Sequence, residues 1–322
     1  MFSKRVSLIF GKFLLLPRYI SKFYQVLVRV AMAVDNQELE VFYDEGCVVY
    51  EAVWGEHMHS GYFDAGNTRD FRAAQIRMLE ELLAWAGVPD DEQSRPRNIL
   101  DVGCGFGGTS RYLSNKYSAN VTGIALSKYE IGRARAIAKA EGVCDKVAFQ
   151  VADALSLPFE DNQYDLVWCM ECADHIADKL KLMQEMTRVA KPGGWVVLTG
   201  WCHREFTHGE TSLKKHELKI LDKVRAAYLL PPWCQTSDYK VIAIDAGLQG
   251  VKVEDWTRHM LPFWGLLTAE IFTLRGAFKI LTSGWAHLRA SISLAYHFSY
   301  MDKGFKTGVF KYAVVMGKKD KK

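Results

Sequence analysis

One segment of this 322-residue chain admits few folds. From Asn98 an apolar run (Ile99, Leu100, Val102) carries Asp101 near its end. It then breaks into Gly103, Gly105, Gly107 and Gly108, and a helix-like stretch follows over 109–116. Strand, glycine turn and helix in that order make a nucleotide-type ligand site out of what would otherwise be a loose glycine motif. Glycine accepts positive φ and lets a ligand come close where a Cβ would clash.

The spacing alone leaves the ligand open. Gly103, Gly105 and Gly108 satisfy G-x-G-x-x-G, the dinucleotide fingerprint, so an NAD-dependent oxidoreductase is one reading. Two details favour S-adenosylmethionine. Asp101 stands two residues before the first glycine, where a carboxylate can meet the cationic end of a ligand that has an ammonium and a sulfonium but no pyrophosphate. A dinucleotide fold also wants an acid at the end of its second strand. The segment 120–127 has none, and Glu130 comes first after it.

Charge and cysteine usage narrow the class. Residues 1–34 hold Lys4, Arg5, Lys12, Arg18, Lys22 and Arg29 and no acid. With those six set aside, the net charge of +4 becomes −2 over the other 288 residues. The body therefore lacks the basic excess of a nucleic-acid binder, and no nucleic acid is expected as partner. Seven scattered cysteines, an odd number, read as a reducing compartment with no disulfide framework. Cys169 and Cys172 form a lone C-x-x-C, and no second Cys/His pair has zinc spacing, so no metal is expected. The first 34 residues are basic, aromatic and interrupted by Pro17, without an apolar run long enough to span a bilayer. They suit a membrane-surface helix, an organelle-targeting segment or a helix packed on the body. The expected location is intracellular, at a plastid membrane or in the cytoplasm. No obligate protein partner is evident.

Five regions follow along the chain: the basic segment 1–34, a helical lid region 35–97, a ligand-binding core 98–200, a helical cap 201–305, and a last strand with a basic tail over 306–322. Strands are expected at 98–102, 120–125, 147–151, 164–170, 194–200 and 309–316, and helices at 108–116, 128–141 and 178–190. Such alternation gives an α/β fold, a mostly parallel sheet flanked by helices. Its ligands bind beyond the carboxyl ends of the strands. Asp153 and Glu171 fall at that edge, after the third and fourth strands.

These residues carry a resemblance. The glycine turn, Val151-Ala152-Asp153-Ala154 and Ala190-Lys191-Pro192-Gly193-Gly194 resemble the motifs of Rossmann-like class I S-adenosylmethionine-dependent methyltransferases. A narrower likeness starts near Val41. Phe42-Tyr43-Asp44, Trp54-Gly55-Glu56-His57-Met58-His59-Ser60-Gly61-Tyr62, Gly123-Ile124-Ala125-Leu126-Ser127, Trp201-Cys202-His203-Arg204, Pro262-Phe263-Trp264 and Ser283-Gly284-Trp285 are similar to the γ-tocopherol C-methyltransferase family, which includes plant alkaloid N-methyltransferases. Cys172-Ala173-Asp174-His175 departs from that family's Ser-Gly-Glu-His after the glutamate. The N-terminus also lacks the serine richness of a plastid transit peptide.

The resemblance implies methyl transfer from S-adenosylmethionine to a lipophilic aromatic such as γ-tocopherol. An alkaloid-type amine and a sterol or other isoprenoid are the alternatives. Asp101, Gly103, Cys104 and Gly105 would take the methionine moiety, Glu130 the ribose, Asp153 and Ala154 the adenine, with Glu171 beside the donor. Carbon methylation of a phenol needs a base for the phenolic proton, and Asp174, His175 and Glu171 are the candidates. Trp54, His57, His59, Tyr62, His203, Phe263 and Trp264 are expected in a lid and substrate wall. The segment 1–34 would hold the enzyme at a membrane where such substrates dissolve.

Overall fold

The structure is a computed structural model that describes residues 51, 53–64, 66, 69–271, 273 and 285–321. The basic segment 1–34, Phe42-Tyr43-Asp44, Ser283 and Gly284 lie outside the described residues.

Helix α1 (Phe71–Ala86) precedes a run of β1 (Asn98–Val102), α2 (Gly108–Tyr117), β2 (Asn120–Ala125), α3 (Lys128–Glu141), β3 (Val147–Val151), β4 (Tyr164–Met170), α4 (Lys179–Val189) and β5 (Ala190–His203). Then come α5 (Lys215–Tyr228), α6 (Thr236–Asp245), β6 (Leu248–Asp255), α7 (Thr257–Met260), α8 (Phe263–Ile271), α9 (Trp285–Lys306) and β7 (Phe310–Lys319). The strands form one sheet in the order β3-β2-β1-β4-β5-β7-β6. β7 runs antiparallel to both its neighbours, and the pairs from β3 to β5 are parallel. This is the expected α/β fold, with four of the five core strands on their expected residues.

Burial on both faces explains why these strands read as continuous apolar runs. Ile99, Leu166 and Trp168 pack into one core with Leu79 of α1, Leu113 of α2 and Ala134 of α3. Leu100, Val102, Val167 and Cys169 point the other way, into a second core with Met183 of α4 and Tyr239 of α6. Asp70 and Ser127 cap α1 and α3 through their side-chain oxygens.

The region 201–305 departs from the expected helical cap in two places. β5 continues to His203, so Trp201, Cys202 and His203 belong to the sheet. Residues 248–255 form β6, an edge strand of the same sheet. Its apolar alternation is interrupted at Gly250 (φ 61), where the register with β7 shifts between Gln249 and Lys252, and this hides the period of two. The described helices of this region are α5 to α9; α8 packs along α9, and α9 along α5. No described helix is long and apolar enough to cross a membrane.

Candidate active site

The glycine turn does what its composition suggests. Gly103 (φ 78) and Cys104 both donate their N–H to the Ile124 carbonyl, at 2.9 and 2.8 Å, which fastens the turn to the end of β2. A Cβ on Gly103 would lie 2.3 Å from the Cys172 Cβ, so only glycine lets the β1 and β4 ends come this close. Gly108 opens α2 beneath the segment 53–64, where a Cβ would meet the Glu56 carbonyl at 2.5 Å. That segment is tied down by an ion pair between Glu56 and Arg111, and by Gln75, whose amide donates to the His57 and His59 carbonyls.

A cavity of about 580 Å³ opens at the carboxyl ends of β1 to β4. The β1 turn contributes Gly103 and Gly105. Glu130 enters from the first turn of α3, and Asp153 and Ala154 follow β3. Glu171, Cys172 and His175 follow β4. Met58, Ile176 and the run Leu230, Pro231 and Pro232 add apolar wall. Four carboxylate residues line it (Glu130, Asp153, Glu171, Asp178), with no Lys or Arg among the described lining residues.

Glu130 is nearly fully buried, set by the Ser127 cap that accepts its N–H at 3.0 Å. Asp153 accepts the Leu155 N–H at 2.8 Å, which turns the chain after β3. Glu171 adopts φ 54, a left-handed backbone that costs a non-glycine residue roughly 1–3 kcal/mol and persists where the surroundings impose it. Its N–H is held by the Thr199 carbonyl and hydroxyl, at 3.2 and 3.3 Å. Its Oε1 accepts the Ser60 N–H at 2.7 Å and the Tyr312 hydroxyl at 2.8 Å. Burial lifts its carboxyl to about 7, against the pull of those hydrogen bonds. His175 is pushed down to about 4 by burial and then by the nearby Lys179 charge, so its imidazole is neutral.

Several expected residues stand elsewhere. Asp101 lies behind the turn, accepting the Ser110 hydroxyl at 2.6 Å, and burial raises its carboxyl to about 7. Cys104 is likewise outside the cavity wall, its N–H spent on Ile124. Asp174 is fully buried on the far side of the turn after β4. Its Oδ1 accepts the Trp201 N–H at 2.5 Å, and burial followed by the Glu171 charge drives its carboxyl up, so it does not reach the cavity.

The lid and wall candidates also pack away from it. Trp54, Phe263 and Trp264 join Phe298 and Trp201 in an aromatic core: Trp54 lies 4.9 Å from Phe298, and Trp264 lies 5.5 Å from Trp201. Large rings bury most of their area against one another there. Tyr62 stacks on His259 at 4.1 Å, and His203 on Phe206 at 5.0 Å. His57 and His59 are buried within the lid segment, their rings 5.5 Å apart. Burial first, then Arg111 for His57 and His57 for His59, lowers them to about 4 and about 3. The lid residue that reaches the cavity is Met58, between them. Tyr312 and Ser60 were not legible as site residues, because their only link to Glu171 is through the folded chain. The Pro231-Pro232 pair was a visible signal, since a rigid, donor-poor turn suits a pocket rim.

A protein-family model described as Methyltransferase domain matches residues 100–198. The chain is 44% identical over 280 residues to a protein of Oryza sativa subsp. japonica named probable tocopherol O-methyltransferase, chloroplastic, covering 86% of this chain and 76% of the other. It is 36% identical over 296 residues to norajmaline N-methyltransferase of Rauvolfia serpentina, covering 90% of this chain and 100% of the other. Among solved structures, geranyl diphosphate C-methyltransferase from Streptomyces coelicolor A3(2) superimposes with a TM-score of 0.67 at 18% identity, over 88% of this chain and 98% of that one. At such identity the likeness speaks for the fold.

Proposed function

The chain belongs to the γ-tocopherol methyltransferase family of class I S-adenosylmethionine-dependent methyltransferases, and from that premise we propose that it methylates a ring carbon of a prenylated phenol such as γ-tocopherol, giving α-tocopherol. The observation that carries this reading is the cavity wall. It combines a buried carboxyl poised near 7, a neutral imidazole, an apolar rim and no described cation.

The residues fit the donor. Bound S-adenosylmethionine supplies an electrophilic methyl on a sulfonium. The bare backbone from Gly103 to Gly105 would hold its methionine end, Glu130 its ribose hydroxyls, and Asp153 with the Ala154 N–H its adenine. Asp101 acts from behind, fixing the turn through Ser110. Four lining carboxylates favour a cationic ligand and oppose an anionic one.

Catalysis is then positioning and proton removal. The walls must bring the ring carbon to within about 3 Å of the methyl, in line with the breaking sulfur–carbon bond. Glu171 takes the phenolic proton as the ring carbon bonds to the methyl and the sulfur–carbon bond breaks to leave S-adenosylhomocysteine. The ring carbon then loses its own proton to solvent to become aromatic again, and Glu171 returns the phenolic proton. A base with pKa near the working pH serves this best. Leu230, Pro231, Pro232, Ile176 and Met58 would receive the prenyl tail. The segment 1–34 would hold the enzyme at the bilayer that dissolves such a substrate, in a plastid if the chloroplast location named for its plant relative carries over.

The rice relative's name puts the methyl on oxygen, and the product decides between the two. Purified protein with labelled S-adenosylmethionine and γ-tocopherol in detergent should yield labelled α-tocopherol with its phenol free. A labelled methyl ether, or no labelled tocopherol, would reject carbon methylation. The N-methyltransferase relative and the acid-lined wall support a second reading, an alkaloid-type amine as acceptor. An amine panel under the same conditions separates the two.

A further inference from the structure

Glu171 is the meeting point of three distant parts of the chain. Ser60 stands 111 residues before it and Tyr312 stands 141 after it, and both hydrogen bonds land on the same oxygen, Oε1. The Tyr312 ring is fully buried in β7, so its hydroxyl has no freedom to be elsewhere. That hydroxyl lies 2.8 Å from Glu171 and 3.0 Å from the Thr199 hydroxyl, and it has one proton to give. Thr199 in turn holds the Glu171 N–H, which keeps the strained φ of 54 in place. Building on the reading of Glu171 as the base, we infer that Tyr312 and Ser60 are positioning residues: the Tyr312 hydroxyl, from β7, and the Ser60 N–H, from the segment 53–64, both donate hydrogen bonds to the ionised Glu171.

The physical logic is a balance between burial and donors. Burial disfavours the Glu171 anion, while the Ser60 N–H and the Tyr312 hydroxyl favour it first and the Ser60 hydroxyl and the Trp201 indole after them. Once Glu171 has taken a proton, Tyr312 is released to donate to Thr199 instead. The titratable groups around the carboxyl add no donor of their own charge. Asp174, on the turn after β4, raises the cost of a second charge and is itself driven toward its neutral form. His175 on that turn and His59 beside Ser60 are neutral imidazoles, and Cys172 is a thiol in the same wall.

Tyr312→Phe removes one hydroxyl and keeps the ring. The expected result is a rise of about one pH unit in the acid limb of kcat, so that methyl transfer falls about fivefold near pH 7, about tenfold near pH 5, and recovers near pH 9, where the base ionises regardless. The affinity for S-adenosylhomocysteine should stay within about twofold, since Tyr312 is outside the cavity wall. An infrared titration supplies a readout without any acceptor: the carboxylic-acid band that Glu171→Gln abolishes should shift its midpoint upward in Tyr312→Phe by the same amount. Thr199→Val, which cuts the other side of the network, should move the same midpoint and stands in if Tyr312→Phe fails to fold. An unmoved midpoint, with rate lost equally at every pH or not lost at all, overturns the proposal. If Glu171→Gln keeps full methyl transfer, the base assignment falls, while the infrared midpoint still reports whether Tyr312 controls the Glu171 proton.

Discussion

At the residue scale, the sequence places carboxylates at the strand ends more readily than it says which way each one turns. Asp101, Asp153, Glu171 and Asp174 all fall beside strand ends, yet Asp101 and Asp174 turn into the protein, and Asp153 and Glu171 turn into the cavity. Side-chain direction after a turn depends on backbone angles such as φ 54 at Glu171, and no spacing rule encodes that. If Glu171 is the base, Glu171→Gln should lower kcat by roughly 10²–10⁴ with S-adenosylhomocysteine affinity nearly unchanged, as steady-state kinetics and calorimetry will read. Asp101 makes a different prediction. Its folded carboxyl is raised to about 7, so it keeps a proton that the unfolded chain has released. Its contribution is therefore full below the unfolded value near 4 and is lost as pH rises through 7. The lowered histidines (His57, His59 and His175) work in the opposite sense and cost stability as pH falls below 6.5. Asp101→Asn mimics the neutral acid and should gain on the wild type by up to about 3 kcal/mol between pH 5 and pH 8 in urea unfolding. A difference that does not change with pH would mean that Asp101 titrates normally in the fold.

At the element scale, the sequence is legible where one pattern governs an element and obscure where two compete. The strands β1 to β4 and helices α2 to α4 follow from apolar runs, caps and glycines, and they sit within a residue or two of where the pattern puts them. The register slip at Gly250 hides β6. The aromatic stretch in α8 reads equally as pocket wall or core, and core burial wins because Phe263 and Trp264 find other rings close at hand. The tightest element contact is the β1 turn against the β4 end. Gly103→Ala adds a Cβ at φ 78 and 2.3 Å from Cys172. The turn must move, so S-adenosylhomocysteine binding should fall at least tenfold, with a stability loss of about 1–3 kcal/mol. Calorimetry and thermal melts will measure both, and unchanged binding would mean that the turn does not hold the donor.

At the scale of the whole molecule, residues 1–34 carry six positive charges and no acid, and the other 288 residues sum to −2 with their own basic tail at the end. Removing that segment should leave methyl transfer to a detergent-dispersed acceptor largely intact while association with anionic liposomes falls, read by co-sedimentation. Unchanged association would assign membrane contact, if any, to the body. The order of the sheet has its own consequence for how the molecule is made. β7 lies between β5 and β6, although it is the last strand in the chain. A nascent polypeptide halted before Phe310 would present two bare strand edges and an unclosed seam, the kind of surface that seeds aggregation. It would also hold a finished glycine turn with Glu171 missing its tyrosine. The glycine turn therefore forms before the carboxyl that faces it gains its partner from β7.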